Sequence, residues 1–407
     1  MKRILFIGPY PPPFGGIASH LHELLPELVK NGYEINCLDR SPKTEKITTS
    51  GITVIRINLR DYLKKHIFQI IHSYLKFTYI NKTIKWAEAL RNINFAHAII
   101  KIVRARKIEA IFIYEENAMV IPILRKKLGK STPIGLMIFG EYYSKQNDYV
   151  KIKEYMHKVF NNSDVILSSS RFCGNSIKNI FGFEFPVKVV YVGVNEMVYN
   201  PLNDGSKIRT ELGIPQNAIV FLFLGRMMSE MGLDFLLNVS ERLLSLNKDV
   251  YLIIAGAKDD LSFLAKDLSE REHRVKYCLN IPIDKKPHFY SACDIFLAPS
   301  KEDHACMGVS IKEAMFCAKP VIASTSGGIP EAIEDDVNGY LIPFLNGELD
   351  EKKFLHVAKS LVDNPPLRKN MGNKGREKAL HLFTNRQTTN HYLEIIKILK
   401  QIGWNKN

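Results

Sequence analysis

Apolar residues in this chain come mostly in short unbroken runs, each closed by glycine or a small polar turn. Ile4 to Ile7 is the first, ending at Gly8. An uninterrupted run of that length reads as a strand buried on both faces. A proline-rich loop follows (Pro9, Pro11, Pro12, Pro13). Gly15-Gly16 then open a segment with Ile17, Leu21, Leu24, Leu25 and Leu28 at helical spacing, stopped by Asn31-Gly32. Tyr33 to Leu38 resumes strand, completing a βαβ unit with glycines at its first turn. Ile111 to Tyr114, Ile134 to Phe139, Val165 to Ser168 and Val187 to Val192 read as further strands, and Asp61 to Ile108 as helical. Pro201 to Ser206 reads as a linker, after which the rhythm restarts. Ile219 to Leu224, Tyr251 to Ala255, Val275 to Leu279, Ile295 to Ala298 and Val321 to Ala323 are strands, with a helix from about Leu233 and a polar helical tail from Asp350 to Leu399. The pattern predicts an α/β protein of two Rossmann-like, doubly wound parallel-sheet domains facing a cleft. The expected spans are 1–200, 201–383, and a helix at 384–407 that returns to the first domain.

The stretch from Pro299 to Glu331 holds the densest candidate chemistry. The strand ending at Ala298 runs into acidic Glu302 and Asp303, then Gly308, then a short helix carrying Glu313. The next strand ends at Gly327-Gly328. Open parallel sheets bind ligands beyond the carboxyl ends of their strands, where both turns fall. A helix opening at Gly308 offers the backbone N–H groups of Val309 and Ser310 to an anion. Glu313, just inside it, can accept from hydroxyls. A phosphate site beside a hydroxyl acceptor suits a nucleotide sugar. The plainer alternatives are that Gly16 serves only its turn, Arg226 an interdomain ion pair and Glu313 a helix N-terminal charge.

With 407 residues, 46% hydrophobic and 24% charged, the chain has the composition of a soluble two-domain protein. No apolar run approaches the ~18 residues of a membrane span, and the first residues read as a strand rather than a signal peptide. The six cysteines form no CxxC pair and no zinc spacing, which predicts reduced thiols, a cytoplasmic location and no metal site. The net charge of +14 is uneven: Arg60 to Glu109 holds eleven Lys or Arg against three acids. That segment predicts an acidic partner, such as an anionic membrane surface met peripherally, unless it is a solvated helical face. No nucleic-acid-binding motif accompanies it, and Gly8 to Gly16 does not spell the dinucleotide fingerprint GxGxxG.

Several motifs then occur in a telling order: Gly15-Gly16, Tyr191-Val192-Gly193-Val194-Asn195, Leu224-Gly225-Arg226, Ala298-Pro299-Ser300, Glu313-Ala314-Met315, Lys319-Pro320-Val321, Gly327-Gly328-Ile329-Pro330-Glu331 and Asn338-Gly339-Tyr340. This ordered set resembles the retaining glycosyltransferases of the GT-B fold, the glycogen-synthase and sucrose-synthase-like group 1 family, over nearly the whole chain. The resemblance implies a hexosyltransferase that takes a UDP- or GDP-sugar without a metal or other cofactor and glycosylates a lipid-linked or saccharide acceptor in cell-surface polysaccharide or glycolipid assembly. It implies that Gly15 and Gly16 approach the donor phosphates, that Arg226 grips the diphosphate, that Gly308, Val309 and Ser310 hold a phosphate, and that Glu313 binds ribose hydroxyls. Three departures stand out. Met231 replaces the family's lysine. Ala305 stands where a glutamate eight positions before Glu313 is usual, in a turn two residues longer than the family's, so Glu302 or Asp303 is expected to meet the donor sugar. Phe139-Gly140-Glu141 replaces a strand-end histidine. The departures keep a second reading open, a catalytically impaired GT-B scaffold acting as a binding or partner module.

Overall fold

Two parallel sheets organise the chain in a computed structural model that describes residues 2–11, 16–66, 86–140, 142, 145–301 and 306–404. Contacts divide the chain into two units, Met1–Gly193 with Asn385–Asn407, and Val194–Thr384. Among the described residues no helix is long and apolar enough to cross a membrane.

The first unit is an eight-stranded sheet. Its strands are β1 (Arg3–Ile7), β2 (Glu34–Arg40), β3 (Glu45–Thr49), β4 (Ile52–Ile57), β5 (Ala110–Tyr114), β6 (Ile134–Ile138), β7 (Val165–Ser168) and β8 (Val187–Val189), in the order β3-β4-β2-β1-β5-β6-β7-β8. All pairings are parallel except the β3–β4 hairpin. The sequence reading omitted that hairpin because every residue of β3 is exposed, leaving no apolar face to signal a strand. Strand β8 is shorter than expected. Its partner β7 ends at Ser168, whose carbonyl accepts from Val190 N at 2.8 Å. The predicted helical stretch 61–108 is helical over 59–66 and Trp86–Arg106; Ile67, Ile70, Ile71, Tyr74, Lys76, Lys82 and Lys85 lie outside the described residues.

Helix α1 (Gly16–Lys30) buries Leu21, Leu24, Leu25 and Leu28 against the sheet, as its spacing predicts. The helix Asn385–Trp404 packs Tyr392, Ile395, Ile396 and Leu399 into the same core. Its anchor is Tyr392, fully buried, whose hydroxyl meets His20 Nε2 at 3.2 Å and the Tyr114 hydroxyl at 3.3 Å. Removing one member of a buried polar network strands the others. Tyr392→Phe is therefore expected to lower stability by about 1–3 kcal/mol, read as a lower urea midpoint.

The second unit is a six-stranded, wholly parallel sheet: β9 (Ile219–Arg226), β10 (Val250–Ala257), β11 (Val275–Leu279), β12 (Ile295–Ala298), β13 (Val321–Ser324) and β14 (Gly339–Ile342). The order is β11-β10-β9-β12-β13-β14, so winding reverses between β9 and β12. Helices α2 (Leu233–Leu244), α3 (Lys286–Ala292) and α4 (Val309–Phe316) flank the strands used below. All six cysteines are free thiols, four of them buried.

Candidate functional site

The reversal point lies between the paired strands β9 and β12, and ligands of this architecture bind beyond the carboxyl ends of such strands. Strand β9 ends in Gly225 and an exposed Arg226. The chain then turns through a short 3-10 segment, Ser229–Met231, into Gly232 at φ +77°. A Cβ on Gly232 would lie 1.9 Å from the Pro299 carbonyl oxygen, so no other residue fits without displacing backbone. The turn after β12 is stitched to this one. Ser300 Oγ and Lys301 N donate to the Glu230 carbonyl at 3.2 and 2.9 Å. Ser326 Oγ, from the turn after β13, donates to the Ser300 carbonyl at 2.8 Å. Lys301 Nζ bonds Asp234 Oδ2 and Glu348 Oε2, each at 2.9 Å. Burial alone would raise the Asp234 carboxyl and lower the Lys301 ammonium; their mutual bond and Glu348 outweigh it, leaving Asp234 below and Lys301 above its ordinary value.

Helix α4 starts at Gly308, φ +74°, and no side chain caps it. The N–H groups of Val309 and Ser310 at its first turn have no intrahelical acceptors, the arrangement that binds anions. Glu313 is only 5% exposed. Lys286 Nζ lies 3.0 Å from both of its carboxylate oxygens, and the Tyr290 hydroxyl donates to Oε2 at 2.6 Å. Burial first, then the adjacent Glu313 charge, hold the Tyr290 phenol well above its usual range, so it remains a donor.

Beside Glu313, Lys312 is 2% exposed, with its ammonium 5.6 Å from the Phe383 ring centre. Burial pulls its pKa down to about 8. The unfolded chain then binds this proton near pH 10.4, before the folded chain does, so stability falls as pH drops from there to 8, and the cost is fully present below 8. Relative to wild type, Lys312→Met is expected to be more stable by about 3 kcal/mol at pH 7, the advantage fading by pH 10.5. Urea midpoints of both proteins at the two pH values check this.

In the first unit the strand order reverses between β1 and β5. Arg56 Nη2, from β4, donates to the Tyr10 and Pro11 carbonyls at 3.0 and 3.1 Å, tethering the loop that leads to α1. The Arg56 guanidinium is in turn held by Glu45 at 2.7 Å. Just after β5, the buried Glu115 carboxylate accepts from the backbone N–H groups of Phe139, Gly140 and Tyr142. This bonding ends β6 at Ile138, one residue before the predicted end, because the Phe139 amide serves the carboxylate instead of the ladder.

Of the residues singled out in the sequence, Arg226, Gly308, Val309, Ser310 and Glu313 all belong to the turns and helix of the second unit's reversal point. Gly16 is the exposed first residue of α1, with open space where a Cβ would stand. Gly15, Glu141, Glu302, Asp303 and Ala305 lie outside the described residues. Met231, the position of the family's lysine, packs against the apolar core of its unit. Lys286, Tyr290, Lys301, Arg56 and Glu115 were not singled out; only the four-residue spacing of Lys286 and Tyr290, which sets both on one helix face, carried any signal. Among the described residues no three His, Cys, Asp or Glu side chains gather as metal ligands would.

Residues 204–378 match the sequence model described as Glycosyl transferases group 1, and residues 14–197 that of Glycosyltransferase Family 4. The chain is 27% identical to an alpha-maltose-1-phosphate synthase of Mycolicibacterium smegmatis over 52% of its length, spanning only 56% of that relative. It is 23% identical to a GDP-mannose-dependent monoacylated alpha-(1-6)-phosphatidylinositol monomannoside mannosyltransferase of Corynebacterium glutamicum, covering 92% of each chain. Its fold matches the crystal structure of Anabaena HepE in complex with UDP-glucose at TM-score 0.70 and 17% identity, over 98% of this chain and 100% of that one.

Proposed function

Because the chain belongs to the group 1 glycosyltransferases of the GT-B fold, we propose that it transfers a hexose unit from a UDP- or GDP-sugar to a hydroxyl of a lipid-linked or saccharide acceptor, with retention of anomeric configuration. The observation that carries this reading is the clustering, at one sheet reversal, of Arg226, the open helix start after Gly308 and the Glu313 carboxylate. In it, Arg226 and the N–H groups of Val309 and Ser310 stabilise negative charge gathering on the departing diphosphate. Glu313 takes a ribose hydroxyl. Gly15 and Gly16 take part in holding the donor phosphates, and Glu302 or Asp303 meets the donor sugar. The departing phosphate itself takes the proton of the attacking acceptor hydroxyl on the same face. The new bond runs from acceptor oxygen to anomeric carbon, and the bond from that carbon to the phosphate oxygen breaks.

The surplus of positive charge between Arg60 and Glu109 supports an acceptor presented at an anionic cytoplasmic membrane face, in polysaccharide or glycolipid assembly. Incubation with UDP- and GDP-sugars and with lipid-linked or oligosaccharide acceptors tests the reaction, and the anomeric proton coupling of the product tests retention. No nucleotide release with any pair, together with no nucleotide binding by calorimetry, sinks it. Nucleotide binding without turnover, and turnover appearing in Met231→Lys, favours the binding-scaffold reading that Met231 motivates. Co-sedimentation with anionic but not neutral vesicles is the expected membrane result; equal binding to both removes that part.

A further inference from the structure

We propose that the groove along β8 is a docking site for an extended, acidic segment of a partner protein, which joins the sheet as a further strand. The inference does not depend on the nucleotide site proposed above.

Strand β8 closes the order of its sheet, with β7 on one side only. Just past it, Val190 N donates inward to the Ser168 carbonyl. Main-chain groups alternate in direction along a strand, so those of Val187 and Val189 point away from β7. Among the described residues no other strand takes them. A groove of about 620 Å³ runs beside this edge. Phe183, Phe185, Val187 and Val189 line it and are half-buried, whereas Glu184, Pro186 and Lys188 between them are exposed. That alternation sets the four apolar side chains on one face. Phe183 is held there by Phe160 at 5.4 Å and stacks on Phe185 at 6.2 Å. An edge that only avoided pairing would need its lysine, but no apolar floor beside it. Arg171 and Lys178, from the helix Arg171–Phe181, line the groove as well. From residue 171 to 189 three Lys or Arg stand against one acid, Glu184, whose bond to Lys178 joins two exposed side chains and contributes little. This surplus selects an acidic occupant. It also selects against a second copy of this chain. Antiparallel addition of β8 to its own counterpart, bonded through Val187 and Val189, would set Lys188 opposite Lys188 in the closer, non-hydrogen-bonded type of pair, where like charges repel. The fitting segment alternates apolar residues, laid over the groove, with acids on the face of Lys188.

The test uses the full chain and a capped, fluorescent peptide of alternating glutamate and valine, followed by anisotropy. Saturable binding of this peptide is expected, and none of its counterpart with lysine for glutamate. Proline is tolerated on an edge strand when its missing N–H faces outward. Val189→Pro is therefore expected to keep the wild-type urea midpoint while weakening peptide binding roughly 10–100-fold. Val187→Pro, which removes the other outward N–H, serves the same purpose should Val189→Pro fail to fold. Lys188→Glu is expected to weaken binding of the glutamate peptide roughly 3–10-fold. A wild type that binds neither peptide, or both equally, overturns the proposal. Binding left intact by the proline variants overturns strand addition. Displacement of the peptide by a uronic-acid oligosaccharide of higher affinity gives the groove to an anionic glycan instead. A concentration-dependent dimer that Val189→Pro abolishes gives the edge to a second copy, and either result overturns the partner segment.

Discussion

Arg226→Ala is expected to lower kcat/KM for sugar transfer by about 10²–10³-fold, the range seen when one preorganised donor to developing transition-state charge is lost. The residue ends β9 at the reversal of the sheet, and its side chain is exposed, so folding has little stake in it. The variant is therefore expected to unfold at the wild-type urea midpoint while losing UDP or GDP affinity. Arg226→Lys is expected to recover only part of the rate, because an ammonium supplies a point charge without the planar fork that matches two phosphate oxygens. Full activity in Arg226→Ala would remove this residue from the donor grip.

The second large effect is expected from Gly232→Ala. Its left-handed backbone costs a non-glycine residue roughly 1–2 kcal/mol, and the new methyl would meet the Pro299 carbonyl oxygen at 1.9 Å. Forcing atoms into a packed site adds about 1–3 kcal/mol. Together these predict a melting temperature lower by roughly 10 °C for a unit of this size. Because Ser300 and Lys301 are bonded to Glu230 just before this glycine, the displaced turn is also expected to weaken nucleotide binding more than an equally destabilising core change. Leu236→Ala, wholly buried on α2, supplies that comparison. A Gly232→Ala protein that melts with the wild type would show that the two turns are not in contact in solution.

Much of the second unit was legible before any coordinates. Its central strands are apolar runs stopped by turns, and Ile295–Ala298 falls where its run does; the partly exposed edge strand Val275–Leu279 also falls where it was read. Arg226, Gly308 and Glu313 could be picked out because glycine turns at strand ends are a local signal. The environment of Glu313 was not legible. Lys286 and Tyr290 are 27 and 23 residues upstream on another helix, and only the parallel crossover brings them to the carboxylate. Likewise Glu115 reads as an ordinary acid after a strand, and its three backbone donors come from the loop beyond the neighbouring strand. Met231 could be read only as the position of the family's lysine; that its side chain packs against the apolar core is visible only in the fold.

The first unit is built from two separated pieces of chain, and this has a consequence for biosynthesis. Residues up to Gly193 leave the ribosome long before Asn385 does, with the whole of Val194–Thr384 made in between. At ordinary elongation speeds that interval is roughly 10–40 s. Throughout it the slot for Tyr392 beside Tyr114 and His20 stands open on a nascent, half-finished body, while the later-made unit can already close around its own residues. The part of the molecule translated first is thus the part completed last, and its waiting apolar surface is where a cellular chaperone has the longest opportunity to hold on.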